Sequence, residues 1–320
     1  MPAEDYLARL SVELAKSLLG MFHYRDFLLA ALVFIPFERL FSLRPLQKTF
    51  RQHLLTDLAY VFINPLLVGL GLTAALGMAM NVVGAVLPAT IGSATQTQPL
   101  ALQVVEIFIV ADVGQYFIHR AFHAVPFLWK FHSIHHGPEE LDWLAAYHVH
   151  PIDHITTQAV SLLPVFILGF SDVAVAIFFV VLHWHAILVH ANTRLNWGPL
   201  NLLLASPQFH HWHHANERHA YNKNFSATFP LIDLLGGTLH MPGKDFPQNY
   251  GIEEPPPKRY IDQLASPFRR RPKAQGPRQF EDPVVRDART AASLGTGNHQ
   301  MISGAPETDS AVELRLSRAD

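Results

Sequence analysis

No cysteine occurs anywhere in the 320 residues. That single absence excludes disulfides, thiolate zinc sites, iron–sulfur clusters and cysteine nucleophiles. Any bound metal must use nitrogen or oxygen donors. Charge is also scarce: 16% of residues are Asp, Glu, Lys or Arg, where soluble proteins carry about a quarter. The formal net charge of −2 gives a nucleic-acid partner no electrostatic support, and none is expected. Absent too are a dinucleotide fingerprint, a His-Pro-Gly-Gly haem module and the His-Glu-x-x-His of zinc proteases. No Arg-flanked apolar core precedes a small-residue cleavage site, so a cleaved signal peptide is not expected.

What is present is apolar sequence and histidine. Hydrophobic residues make up 49% of the chain. Residues 1–25, with “DYLARLSVELAKSLLGMF”, show helical spacing with charges between the apolar positions, which predicts an amphipathic surface helix, with an ordinary packing helix as the alternative. The run 26–41 is short for a span, which needs roughly 20 residues. The runs 58–88 and 99–119 are long enough, and 155–190 reads as a hairpin of two helices broken at “GFSD”. Arg44, Lys48 and Arg51 lie between the first two runs, whereas 80–100 carries no charge. By the positive-inside rule the first of these loops faces the cytoplasm, and with it every histidine cluster. If 26–41 also spans, Arg9, Lys16 and Arg25 fall outside, which opposes the rule. From 244 to 320 the composition turns to Pro, Gly, Ser and charge without hydrophobic period, which predicts a largely disordered polar tail.

Sixteen of the twenty histidines fall between His119 and His219. “HRAFH” places His119 and His123 on one helical face, and “HSIHH” does the same for His132, His135 and His136. “PQFHHWHHA” repeats the spacing with His210, His213 and His214, while His211 points elsewhere. A lone interfacial histidine is usually a hydrogen-bonded side chain. Eight imidazoles on three faces are a different matter, because each buried without a partner costs on the order of 1 kcal/mol or more. A structural zinc takes four ligands and a catalytic one three plus water, so eight or more point to two ions. Imidazole suits iron as well as zinc, and ligand type alone leaves the metal open.

The ordered motifs “DVGQYFIHRAFH”, “LWKFHSIHH”, “YHVHPID”, “HANTRLNWGPL”, “SPQFHHWHHA” and “NKNFSATFPLIDLLGGT”, over roughly 105–243, resemble the fatty acid hydroxylase and sterol desaturase superfamily of membrane di-iron oxygenases. The resemblance implies an all-α integral membrane protein, with helical hairpin anchors and a cytosolic histidine-rich cap, whose catalytic domain covers 26–243. It implies two iron ions, which zinc can replace in a purified sample, and O2 as co-substrate in hydroxylation or desaturation of a lipid or sterol. By position, His119 and His123 match the first histidine box, His132, His135 and His136 the second, and His210, His213 and His214 the third. His190 matches the further histidine before the third box. “YHVHPID” makes His150 an outer ligand candidate and Asp153 an orienting carboxylate. Asp112, seven residues before His119, is a candidate to orient the first box; a capping or packing role is the alternative. His183 is read as a pathway residue, His185, His211 and His219 as interface or surface groups, and Trp184 and Trp212 as interfacial anchors.

Electrons are then expected from a separate ferredoxin, cytochrome or reductase. The ending “LSRAD” lacks the lysine pair of many endoplasmic reticulum members, which favours a bacterial inner membrane. Two other readings compete: a membrane zinc-dependent hydrolase, which lacks a motif base, and a non-catalytic metal-binding membrane protein, which predicts polar residues strung through the spans. Substrate-binding residues cannot be named from the sequence.

Overall fold

The computed structural model describes residues 24–51, 53–86 and 91–269. The helix predicted over 1–25 lies outside them except for its last two residues, and so does the expected tail beyond 269. The described residues form helices and no named strand. Helix α1 is Tyr24–Leu40, with Pro36 inside it. Helices α2, Leu54–Phe62, and α3, Asn64–Val86, meet at Ile63. A short α4, Ile91–Gln96, leads to α5, Leu100–Ala124, and α6, Pro126–His135. The hairpin follows as α7, Pro151–Leu168, and α8, Asp172–His190. Three short helices complete the described chain: α9, Pro207–His213, α10, Pro230–Gly236, and α11, Tyr260–Ala265.

Four helical runs are long and apolar enough to cross a membrane: Leu54–Val83, Leu100–Ala124, Pro151–Leu168 and Asp172–His190. They match the three predicted regions, with the hairpin divided as expected. The division is local chemistry. Gly169 closes α7 in the left-handed conformation at φ 69°, and the Ser171 hydroxyl accepts from Ala174 N to start α8. Helix α1, at 17 residues, is not one of the four.

Helix α5 packs against α7 and α8, and α7 against α3, around Leu72, Leu76, Ile107, Leu162, Val165 and Phe178. Contact between α5 and α7 is close because Gly114 has no side chain. A Cβ there would lie 2.9 Å from Ser161 Cα, so small residues set the spacing as in membrane bundles. On the outer side of α5, Val105, Ile109, Val113 and Phe117 recur every fourth residue and are exposed, Phe117 by 63%. Such a stripe is stable only against lipid or another apolar surface.

The tail boundary predicted at 244 is too early. Tyr250 is buried, Tyr60 Oη donates to Gln263 Oε1 at 2.7 Å, and Tyr260 Oη donates to Asn64 Oδ1 at 2.8 Å. The segment folds because a few polar and aromatic side chains find fixed partners on α2 and α3. Composition does not register such pairing.

Candidate metal centre

Helices α6, α8 and α9 all end at one place, with His135, His190 and His213 as their last residues. His119 and His123 face the same place from the last turns of α5. Helix C-termini carry partial negative charge, so three of them converging favour a cation between them.

The nine histidines form two groups. Ligand atoms of His119, His123, His132, His136 and His213 lie within 4.8 Å of one another, and so do those of His135, His190, His210 and His214. The two His-x-x-His-His triplets are shared between the groups in opposite senses. His132 and His136 join the first while His135 crosses to the second; His210 and His214 join the second while His213 crosses to the first. Helix geometry explains the exchange, since side chains at i+3 and i+4 point about 100° apart and straddle that at i. Rings at the seam touch, with His136 stacked on His214 at 4.5 Å between centroids.

Hydrogen bonds at the far nitrogens fix the tautomers. His119 Nδ1 donates to Phe225 O at 2.7 Å and His132 Nδ1 to Asp153 Oδ2 at 2.7 Å. His190 Nδ1 donates to Ala186 O at 2.7 Å, His135 Nδ1 to His148 O at 3.2 Å and His213 Nδ1 to Lys223 O at 2.9 Å. In a neutral ring whose proton sits on Nδ1, Nε2 carries only a lone pair. Yet His119 Nε2 and His132 Nε2 are 3.0 Å apart, and His190 Nε2 and His135 Nε2 are 3.4 Å apart. Neither pair has a proton to share. Buried Nε2 atoms of His123 and His213 also have no hydrogen-bond partner.

A cation resolves each conflict. Two nitrogens about 2.0–2.1 Å from one ion are about 3 Å apart at right angles and about 3.4 Å apart at the tetrahedral angle. The donors therefore fit two metal ions, one per group. Burial, followed by neighbouring imidazoles, holds His132, His135, His136, His210, His213 and His214 well below the ordinary histidine pKa, which keeps them neutral and able to ligate.

Asp153 sits where a carboxylate can orient a ring. Asp112 and His150 do not join either group. Asp112 accepts from the backbone N–H groups of Ala227, Thr228 and Phe229, with the shortest contacts 2.6 Å, so it secures the chain entering α10 rather than a ring. His150 begins α7, where its Nδ1 accepts from Ile152 N at 3.1 Å. Both have polar backbone closer at hand than the metal centre. His211 is buried against Tyr250 Oη at 2.6 Å, and Trp212 is buried with Nε1 donating to Asp245 O, so neither is a surface group. Trp184 stacks on Phe34, and His219 is exposed. His183 and His185 line a cavity beside the centre.

Sequence reasoning missed His148 and Asp57. Asp57 is fully buried, pairs with Arg51 at 2.7 Å and accepts from His148 Nδ1 at 2.7 Å, while His148 O holds His135. One signal was available: Asp57 is the sole acidic residue between Glu38 and Glu106, at the junction of a basic loop and an apolar run.

Fold and site together define a helical protein with membrane-length helices and an all-imidazole donor set suited to metal. Residues 104–238 match the fatty acid hydroxylase family model, and the relatives below support that superfamily for this segment. It is 32% identical over 173 residues to the ornithine lipid hydroxylase OlsE of Rhizobium tropici, covering 54% of this chain and 52% of that protein. It is 30% identical over 151 residues to the alkylglycerol monooxygenase of Homo sapiens, covering 46% of this chain and 32% of that one. A very-long-chain aldehyde decarbonylase of Oryza sativa subsp. japonica is 28% identical over 167 residues, 48% of this chain and 56% of its own. The chain thus spans about a third to just over a half of the length of these relatives. No solved structure matches it.

Proposed function

We propose that the chain is a membrane di-iron oxygenase that uses O2 to hydroxylate or desaturate a C–H bond of an acyl lipid or sterol. One observation carries the reading. Bare Nε2 lone pairs face each other at 3.0 and 3.4 Å, one pair in each histidine group, in a chain whose relatives are lipid hydroxylases and monooxygenases. His119, His123, His132, His136 and His213 would hold one ion, and His135, His190, His210 and His214 the other. When bound, the irons supply activation of O2 and removal of hydrogen from an unactivated carbon, chemistry that side chains do not offer.

The chain's own residues do the rest. Phe225 O, Asp153, His148 O, Ala186 O and Lys223 O hold protons on Nδ1, which turns each Nε2 inward and fixes its ring. Helices α3, α7 and α8 wall an apolar approach that excludes water from the reacting carbon. Electrons reach the site from a separate ferredoxin, cytochrome or reductase. The site faces the cytoplasm, in a bacterial inner membrane. Metal analysis with O2 uptake and lipid mass spectrometry tests the reading. Two irons per chain, O2 consumption and a lipid that gains one oxygen or loses two hydrogens support it; one zinc with hydrolysis sinks it in favour of a hydrolase.

A further inference from the structure

We propose that the cavity beside the histidine groups holds a subsite for an uncharged hydrogen-bonding group of the lipid, an ester, amide, ether or hydroxyl, bound by Gln158, Tyr147 and Ser226 near the reacting carbon. This rests on the oxygenase reading of the site. The cavity has a volume of about 240 Å3 and reaches both groups, at His119 and His132 on one side and His135, His190 and His210 on the other.

Leu72 on α3 and Phe179 on α8, about three helical turns before His190, give the cavity apolar walls, as a hydrocarbon segment requires. Between them and the histidines the lining is polar. Gln158 reaches it from α7, and no hydrogen bond within the described protein engages its amide. Tyr147 Oη and Ser226 Oγ are buried in the same lining without hydrogen-bond partners. Ser226 follows Phe225, whose carbonyl holds His119, so the residue stands beside the first group. Two buried hydroxyls without partners in an apolar bundle are unfavourable unless a ligand meets them.

The lining also defines the charge of that ligand. It contains no Lys, Arg or Glu, and its one carboxylate, Asp153, already accepts from His132 Nδ1 and Thr157 Oγ1. An ammonium beside Gln158 would meet no free opposite charge, and a carboxylate or phosphate would find its only positive partners at the metal ions and not at the polar lining, so burying either there would be costly. An ester or amide can accept from the amide and hydroxyls at no such cost.

Equilibrium binding to the iron-loaded full chain, measured without O2 in one detergent, tests this with hexadecane, palmitate and 1-monopalmitoylglycerol. Monopalmitoylglycerol is expected to bind about tenfold tighter than the other two. Gln158→Met and Tyr147→Phe should each weaken it about three- to tenfold at unchanged iron content and leave hexadecane unaffected. Ser226→Ala, which removes a single oxygen, replaces Gln158→Met if that variant does not fold. Equal binding of all three probes, preference for palmitate, or variants without effect would overturn the subsite. Selective binding without O2 consumption would sink the oxygenase reading and keep the subsite, whereas iron-dependent oxidation indifferent to these variants would do the reverse.

Discussion

The two histidine groups differ in number and in what stands behind them. The first gathers five imidazoles and has a carboxylate, Asp153, directly on His132. The second gathers four, and the rings of His135 and His190 lean on backbone carbonyls, with Asp57 one residue removed behind His148. A five-membered set can lose a ligand and keep a tetrahedral remainder, but a four-membered set cannot. An anionic acceptor also raises ligand basicity more than a carbonyl does. The second group should therefore be the fragile one and the first the tuned one.

The largest effect should come from unequal ligand deletions. His190→Ala is expected to leave about one iron per chain and to cost more activity than the ten- to hundredfold typical of outer residues. His123→Ala should keep about two irons; equal loss in both variants, by metal analysis, would end the asymmetry. Next is Asp153→Asn, expected to weaken iron binding at the first group about ten- to hundredfold with the fold retained, as seen by titration at limiting iron. Asp57→Asn should act mainly on stability, because it removes one of the two carboxylates paired with the buried Arg51 guanidinium and leaves Asp142 at 3.5 Å. A loss of about 1–3 kcal/mol by denaturation is expected, with a smaller change in iron affinity than for Asp153→Asn. His150→Ala should change iron content least, by under about twofold, since its ring binds backbone at the start of α7.

These contrasts also separate what the sequence made legible from what it did not. Eight of the nine histidines were found from local spacing, since i, i+3 and i+4 fall on one side of a helix whatever surrounds it, and His190 came only from the family resemblance. The exchange of His135 and His213 between groups was not legible, because it depends on how α6 and α9 meet. Hairpin α7–α8 was marked by Gly169 and Ser171, whose effects are local. Asp57 and the folded segment 244–269 were missed for the opposite reason. Their partners, His148 for the one and Tyr60 and Asn64 for the other, lie 91 and about 200 positions away in sequence. Asp112 shows the limit of face arguments: it shares a side of α5 with His119, but loop amides from 227–229 reach it first.

The proposed function requires nine imidazoles to bind two irons. X-ray absorption at the iron edge, combined with metal counting on the purified chain, tests it most directly. Two irons per chain with a shell dominated by imidazole nitrogen, four to five per ion on average, is the predicted result. One ion per chain, or a shell dominated by carboxylate oxygen, would contradict it.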